Sequence, residues 1–393
     1  MKILALPRDP NPYQRLLYEE IEQMGCEVRY IGDRTPSRTL NLLLLPVQVM
    51  AGRIAGARIV HLHWVFCFAL PKSDRFPVLR RLAQGWFRIW LASVRLLGMR
   101  LAWTAHNVLP HSQVFADDVA ARRSLVEHAD VVFIHSVSAL TELSALGAEP
   151  RRSVAIRHPP LGPDGEVPLR VPTSKEGPRE FLFFGNVAEY KGVEELLEAY
   201  SGLPPQIRAR LTIAGQCADP KLRMRLTATR NLRLRLERIP EDEVAALLAG
   251  ADVVVLPFRR VTTSGSAMLA LAHGKPLIVP ELPGLSELPT EAVTRYDGSV
   301  GGLTAAIVEL ASADPSRLAA MSAAALDWSG QASWKDVASA TLAAMETVVN
   351  GRRYTDLRSP LHRVPVRLAP TDKSVRTSLP AGSRDRPSRG RPV

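Results

Sequence analysis

Short apolar runs alternate with segments of helical periodicity over the first 160 residues. The apolar runs are KILAL at 2–6, EVRYI at 27–31, RIVHLHW at 58–64, LAWTAH at 101–106, VVFIHS at 131–136 and SVAIRH at 153–158. Amphipathic patterns such as YQRLLYEEIEQMG and AARRSLVEHA occupy most of the intervals between them. Strands that alternate with helices predict βαβ units and a parallel sheet covered by helices on both faces.

The same alternation restarts after a stretch that is rich in proline, glycine and charge. Beyond it, strands are predicted at FLFFG (181–185), LTIAG (211–215), LRLRLE (232–237), VVVLP (253–257) and LIVP (277–280). We therefore predict an α/β protein with two doubly wound, Rossmann-like domains whose strands end at one cleft. The predicted boundaries are 1–160 for the first domain, 161–180 for a linker, 181–332 for the second domain, 333–350 for a helix that packs back on the first domain, and 351–393 for a tail.

The net charge of +11 is concentrated in the tail. Residues 351–393 contain eleven Lys and Arg and three Asp and Glu, a net of +8, which leaves +3 for residues 1–350. The tail is rich in proline, serine and arginine, a composition that predicts disorder. Since the remainder of the chain is nearly balanced, the charge argues against a nucleic-acid-binding protein.

Three features indicate a cytoplasmic protein. No stretch reaches the roughly 18 uninterrupted apolar residues of a membrane-spanning helix, and MKILALPRDPNPYQ is predicted to be a first strand and not a signal peptide. The three cysteines, Cys26, Cys67 and Cys217, lie far apart without metal-ligand spacing. Isolated thiols of this kind are typical of a reducing compartment.

Two loops of the second predicted domain have features of a phosphate site. In FLFFGNVAEYKGVEELLEAY a strand ends at Gly185, and Lys191 precedes a helix. Neither GxxxxGK[ST] nor GxGxxG is present. In LPFRRVTTSGSAMLALAHG the residues that precede or begin a helix are Arg259, Arg260, Thr263, Ser264, Gly265 and Ser266. Since cations and the free N–H groups of a helix start bind phosphoryl oxygens, we predict that both loops hold one diphosphate.

These motifs resemble those of nucleotide-sugar glycosyltransferases with the GT-B fold. FFGNVAEYKGVEELLEAY, IPEDEVAALLAGADVVVLPF and LALAHGKPLIVPELPGLSEL are similar to the C-terminal signature of these enzymes. TAHNVLPH and NPYQRLLYEEIEQMGCEV are similar to N-terminal motifs of a bacterial branch, the family 4 or group 1 enzymes. The resemblance implies transfer of a hexosyl unit from a nucleotide diphosphate sugar to a hydroxyl of a glycan or lipid-linked saccharide, as in polysaccharide biosynthesis. It implies no metal and no cofactor besides the sugar-nucleotide co-substrate.

The resemblance also assigns roles to individual positions. Lys191 matches the lysine that contacts the donor diphosphate, and Ser264, Gly265 and Ser266 match the helix start around the distal phosphate. Glu287 matches a glutamate on the nucleoside side, where Gly185 also lies. The IPEDEV loop, which contains Glu241, matches the segment that borders the base.

The chain departs from the family pattern at two places. Most members have an arginine in the loop that here reads Asn186, Val187 and Ala188, so Arg259 or Arg260 is expected to supply that charge. The Glu-x7-Glu motif of retaining members is absent as well. Leu269 and Val261 stand at its two glutamate positions, and the TTSGS run replaces the acidic motif. Glu281 and Glu287 are the nearest carboxylates that could contact the ribose.

Histidines in the first domain are the candidates for acid–base chemistry. His106 lies where a strand ends in a loop, the usual place of catalytic groups in α/β folds. We predict that His106 accepts the proton of the acceptor hydroxyl, with His63 as the second candidate. His111 and His158 are predicted to line the cleft. His106 as a bystander remains an alternative. His61 and His63 share one strand face, but no spacing supplies a third metal ligand.

Residues 77–100, PVLRRLAQGWFRIWLASVRLLGMR, contain no acidic residue. Arg81, Arg88 and Arg95 recur every seven residues and form one stripe if the segment is helical. Trp86, Trp90, Leu82 and Ile89 add apolar bulk. Two interpretations stay open: a helix packed on the sheet, or a peripheral contact with the anionic inner face of the cell membrane.

Three alternative functions remain at this point. A sugar-nucleotide epimerase or phosphorylase could use the same fold. The missing arginine and Glu-x7-Glu motif would also fit a noncatalytic sugar-nucleotide-binding partner. A nucleic-acid-binding protein would need strong salt-dependent affinity in the chain without residues 351–393, which the charge distribution disfavours.

Overall fold

The computed structural model describes residues 1–9, 11–110, 112–159, 177–229 and 232–351. The first sheet consists of β1 (Lys2–Leu6), β2 (Glu27–Tyr30), β3 (Ile59–Leu62), β4 (Arg100–Ala105), β5 (Val131–Ile134) and β6 (Ser153–Ala155). Its spatial order is β2-β1-β3-β4-β5-β6, with parallel pairing. The register aligns Ile3 with Ile59 and Val60 with Leu101.

The second sheet repeats this architecture. It consists of β7 (Arg179–Phe184), β8 (Ala209–Ala214), β9 (Leu232–Arg235), β10 (Val253–Val255), β11 (Leu277–Pro280) and β12 (Val293–Tyr296). The order is β12-β11-β10-β7-β8-β9, again with parallel pairing. Two parallel six-stranded sheets confirm the predicted doubly wound α/β class.

Helices cover both faces of each sheet. They are α1 (Pro12–Gln23), α2 (Arg38–Leu43), α3 (Leu45–Ile54), α4 (Pro77–Leu96), α5 (Asp118–His128), α6 (Val137–Ala145), α7 (Val193–Ser201), α8 (Pro220–Ala228), α9 (Glu241–Gly250), α10 (Gly265–Ala272), α11 (Val300–Ala311), α12 (Pro315–Gly330) and α13 (Trp334–Val349). Short 3-10 turns lie at Val65–Phe68, Glu189–Lys191, Pro283–Leu285 and Thr290–Ala292. None of the described helices combines the length and apolarity that crossing a bilayer requires.

Local sequence explains where several helices begin. Asn11 caps α1 through a side-chain bond to the N–H of Tyr13, and Ser136 caps α6. Ser333 and Asp336 form a reciprocal capping box at the start of α13. Such caps satisfy N–H groups that have no partner within the helix.

The last helix belongs to the core of the first sheet. Val337, Ala338 and Met345 of α13 are at most 1% exposed, and they pack in one apolar cluster with Leu17 and Ile21 of α1. The chain therefore returns to its first half after completing the second sheet. β7 begins at Arg179, two residues before the predicted domain start.

Part of the predicted domain organisation lies outside the described residues. This applies to residues 161–176 of the linker and 352–393 of the tail.

Candidate active site at the carboxyl ends of both sheets

A glycine loop follows β7 at the carboxyl end of the second sheet. Gly185 has φ +111°, and a Cβ there would lie 3.2 Å from Ser266 Oγ. A Cβ on Gly215, which follows β8, would lie 1.8 Å from the carbonyl oxygen of Gly185. The absence of side chains at both positions thus lets this loop pack against the start of α10.

The next loop positions Lys191. Gly192 has φ +71°, and a Cβ there would overlap the carbonyl oxygen of Pro257 at 1.7 Å, so the loop lies directly on the end of β10. Lys191 Nζ lies 4.4 Å from the ring centroid of Phe258 and 5.4 Å from that of Tyr190. Burial lowers the pKa of Lys191 to about 8. In the described part of the chain its ammonium has no carboxylate within salt-bridge distance, so it can receive an anion.

The start of α10 supplies further donors. Ser264 is the N-cap, and its Oγ accepts the N–H of Ala267 at 3.1 Å. Gly265 and Ser266 occupy the first two helical positions, whose N–H groups lack intrahelical acceptors. Thr263 Oγ1 is buried and has no hydrogen-bond partner among the described residues. The two loops therefore bring Gly185, Lys191 and the α10 start to one end of the sheet.

The arginines are arranged differently from the expectation. Arg259 pairs with Glu189 at 2.7 Å, Glu194 at 3.2 Å and Glu195 at 2.5 Å. Three carboxylates neutralise its charge, so in this arrangement Arg259 does not replace the missing loop arginine. Arg260 is exposed and lies near Tyr190. Burial raises the pKa of that phenol, and the charge of Arg260 partly opposes the rise.

The predicted nucleoside-side carboxylates are scattered. Glu287 Oε1 accepts the N–H of Val137, the first residue of α6 in the first domain, at 2.7 Å. Burial raises the pKa of Glu287. Glu287 thus joins the two halves, and a ribose contact would require that bond to break. Glu281 is exposed just beyond β11, and Glu241, the first residue of α9, is described by its backbone only.

A second contact between the halves lies beside the first. Thr262 Oγ1 donates to Glu142 Oε2 at 3.4 Å, which connects the segment before α10 with α6. Because α6 follows β5, the carboxyl ends of the two sheets face each other at this point.

Three buried histidines, one tyrosine and one threonine form a hydrogen-bonded chain at the carboxyl end of the first sheet. His63 Nδ1 lies 3.0 Å from His106 Nε2. The hydroxyl of Tyr18 lies 2.8 Å from His63 Nε2 and 2.9 Å from His61 Nδ1. His61 Nε2 lies 2.8 Å from Thr104 Oγ1. We call Thr104–His61–Tyr18–His63–His106 the relay.

The relay constrains its own protons. Each of its interior groups must donate to one neighbour and accept from the other, so all bonds point in the same sense. Burial lowers the pKa of His61 to about 3 and lowers those of His63 and His106 well below 6.5. The imidazoles are therefore neutral at pH 7. Only His106 Nδ1, at the end of the relay, lacks a partner among the described residues.

The relay changes the expectations for the histidines. Both ring nitrogens of His63 are engaged, so His63 orients His106 and does not offer a second base. His158 is buried, and its Nδ1 donates to the carbonyl of Pro159 at 2.8 Å. His111 lies outside the described residues. Within the described ranges no three His, Cys, Asp or Glu side chains are arranged to hold a metal ion.

Sequence reasoning missed several residues of this cluster. Tyr13 is 1% exposed, and its ring contacts His106 and His135 at centroid distances of 4.7 and 5.1 Å. Trp64 stacks on His106 at 4.5 Å. The signal in the sequence was the recurrence of histidine at the ends of β3, β4 and β5, as in HLHW, TAH and FIHS.

The chain is similar to known glycosyltransferases. The family model described as Glycosyl transferases group 1 matches residues 178–313. A GDP-mannose:glycolipid 4-beta-D-mannosyltransferase of Xanthomonas campestris pv. campestris is 26% identical over 231 residues, 56% of this chain and 61% of the relative. A D-inositol 3-phosphate glycosyltransferase of an Arthrobacter species is 25% identical over 384 residues, 93% of this chain and 81% of the relative. The chain thus spans 61% of the length of the Xanthomonas relative.

Solved structures agree on the fold. Sucrose-phosphate synthase from Thermosynechococcus elongatus has a TM-score of 0.68 at 16% identity, covering 89% of this chain and 99% of that one. Anabaena HepE in complex with UDP-glucose has a TM-score of 0.60 at 16% identity, covering 89% and 100%. At this identity the likeness establishes the architecture alone. Residues 178–313 thus form a domain of the glycosyl transferases group 1 family, in a chain with the GT-B fold of glycosyltransferases.

Proposed function

We propose that the chain transfers a hexosyl unit from a nucleotide diphosphate sugar to a hydroxyl of a glycan or lipid-linked saccharide. One observation carries the proposal: two chemically different sites lie at the carboxyl ends of the two sheets, and these ends face each other. The second sheet contributes Lys191 and the start of α10, and the first contributes His106, whose Nδ1 has no hydrogen-bond partner among the described residues. The mannosyltransferase and the inositol-phosphate glycosyltransferase named above are both transferases, which favours transfer over epimerisation or a noncatalytic role.

Each site suits one half of the reaction. The sugar–phosphate bond breaks as negative charge develops on the leaving diphosphate. Lys191 and the N–H groups of Gly265 and Ser266 are placed to stabilise that charge. The acceptor hydroxyl forms the new glycosidic bond and loses its proton, which His106 Nδ1 accepts. The protein groups thereby serve both the leaving group and the nucleophile.

A thermal-shift panel of nucleoside diphosphates tests the donor site. A diphosphate at 100 times its dissociation constant stabilises the folded chain by about 2.7 kcal/mol. We expect one or two of the common nucleoside diphosphates to raise the melting temperature by roughly 3 °C. The corresponding nucleosides, which lack the diphosphate, serve as controls and should have little effect. A panel without any shift would contradict the proposal.

We further infer that the first domain binds an anionic membrane surface. Arg81, Arg88 and Arg95 are exposed on α4. Large apolar residues of α2, α3 and α4 are exposed as well, namely Leu40, Leu43, Val47, Met50, Ile54, Val78, Leu82, Ile89 and Leu96. Exposed apolar side chains that are flanked by arginines favour an interfacial position on anionic lipid.

One part of the membrane expectation is wrong. Trp90 is 0% exposed and packs with Phe68 and Phe87 in the core, so it does not face lipid. Trp86 is partly buried, and its Nε1 donates to the carbonyl of Leu42. α4 therefore buries one aromatic face while its opposite face stays exposed.

Charge reversal tests the membrane surface. We expect a variant with glutamate at 81, 88 and 95 to lose at least 100-fold in affinity for anionic liposomes, because each basic residue contributes about 1 kcal/mol at such a surface. Flotation with vesicles of phosphatidylserine and phosphatidylcholine measures the bound fraction. The matched control replaces Arg15, Arg225 and Arg317, which are exposed on α1, α8 and α12. Equal flotation of both variants and the wild type would reject the inference.

A further inference from the structure

A cavity of about 590 Å³ lies in the first domain, apart from the donor loops. It opens where β3 and β4 end, and His63, Trp64 and Asn107 contribute to its wall. Because Trp64 stacks on His106, this cavity borders the relay. A ligand in it would therefore lie next to the proposed acid–base group.

Arg122 is the unusual residue of the cavity wall. It is 4% exposed, and its guanidinium lies 4.5 Å from the ring centroid of Trp103. Its Nε is buried without a partner, and no carboxylate of the described residues lies within salt-bridge distance. Asp118, one helical turn earlier, accepts the N–H groups of Val114 and Phe115 at 3.3 and 2.9 Å.

No carboxylate of the described residues forms an ion pair with this buried arginine, and Asp118 acts on its charge only from beyond salt-bridge distance. Burial lowers the pKa of Arg122 to about 9, the direction expected for a desolvated cation. An unpaired buried charge is costly unless an anion compensates it. Since Arg122 also lines the cavity, an anionic ligand there would supply that compensation.

Other cations surround the same space. Arg80 lies half-buried on the wall, and its Nε is likewise buried without a partner, while its Nη1 donates to Gln113 at 2.6 Å. Arg38 and Lys72 line the exposed side, against a single lining carboxylate, Asp74. The local charge thus attracts an anion and holds it with guanidinium groups, which match phosphoryl oxygens in geometry.

The remaining wall is mostly apolar. Phe66 and Leu70 line the cavity, and Phe66 is 43% exposed. Such a wall suits an apolar chain that is attached to the anion.

We propose that this cavity binds the phosphate or diphosphate group of an acceptor that carries an apolar chain, with the phosphoryl oxygens on Arg122. This assignment rests on the proposed transferase function, which it deepens by naming the acceptor class. The phosphate is held at Arg122 and Arg80, the apolar chain leaves along Phe66, and the sugar of the acceptor reaches His106.

Binding of small amphiphiles to the full chain tests the site. Isothermal titration calorimetry below the micellar concentration would compare decyl phosphate, decyl glucoside and inorganic phosphate. We expect decyl phosphate to bind at least tenfold more tightly than either of the others. Arg122→Gln should weaken decyl phosphate binding at least tenfold, and Arg317→Gln, an exposed arginine on α12, should leave it unchanged.

Each outcome decides something. Equal affinity of the wild type for decyl phosphate and decyl glucoside would overturn the proposal without any variant. Equal affinity for inorganic phosphate would reduce the site to a free-phosphate site and reject the amphiphilic acceptor. If Arg122→Gln does not fold, Arg80→Gln replaces it with the same expected loss. The nucleoside diphosphate panel reports separately on the donor site. Failure of the transferase proposal can therefore be distinguished from failure of the proposal for this cavity.

Discussion

Replacement of His106 by alanine is expected to lower turnover by a factor of about 10² to 10⁴, the usual contribution of a positioned general base. The donor site lies on the other sheet, so the affinity for nucleoside diphosphates should not change. The measurement is the initial rate of sugar transfer at saturating donor, together with the melting temperature of the variant. Near-normal turnover would leave His106 as a bystander.

The pH dependence provides a second readout for His106. Because burial holds its pKa well below 6.5, the neutral base is already formed at pH 6.5 and persists at higher pH. Acidification protonates it only below that range, so we expect no histidine inflection between pH 6.5 and 8. The matched variant is Tyr18→Phe, which keeps the ring and removes the hydroxyl in the middle of the relay. It should reduce turnover and leave donor affinity intact, as expected for a positioning residue.

Replacement of Lys191 by alanine should have the largest effect on the donor side. Removing one partner of a desolvated charge pair commonly costs 2–5 kcal/mol, so the affinity for the nucleoside diphosphate should fall at least tenfold. Turnover should fall by about 10² to 10³, since the ammonium also stabilises the charge that develops on the leaving group. Calorimetry with the nucleoside diphosphate and initial rates measure the two effects.

Two variants serve as comparison for Lys191. Lys221→Ala removes an exposed lysine from α8 and should leave both quantities unchanged. Arg259→Ala tests the other candidate cation for the diphosphate. Three glutamates already pair with Arg259. Unchanged affinity in Lys191→Ala, together with a loss in Arg259→Ala, would return the phosphate-binding role to the arginine.

Apolar alternation was sufficient to predict the doubly wound α/β class, although it missed the last strand, β12. The predicted strand at 101–106 corresponds to β4 at Arg100–Ala105, and that at 277–280 to β11 at Leu277–Pro280. Parallel strands that are buried on both faces are encoded by continuous apolar runs, which local sequence shows directly. Ser264 as the cap of α10 follows from local hydrogen bonding in the same way.

The chemistry of the sites could not be predicted in the same way, because it depends on contacts between residues that lie far apart in the sequence. The relay joins Tyr18 of α1 with His61 of β3 and Thr104 of β4, across sequence separations of 43 residues. The sequence placed His61 and His63 on one strand face but gave no indication of their hydrogen-bond partners. Likewise, the ion pairs of Arg259 with glutamates 64 to 70 residues away arise only when β7 and β10 become neighbours.

The position of α13 has a consequence for how the chain folds during synthesis. The apolar clusters of the second sheet draw on residues from Phe181 to Trp328, so this half has all its core residues before α13 leaves the ribosome. One face of the first sheet, although made first, awaits Val337 and Met345 to cover it. The half that emerges last should therefore complete its core first, and the amino-terminal half keeps an uncovered apolar face until almost 350 residues have been translated.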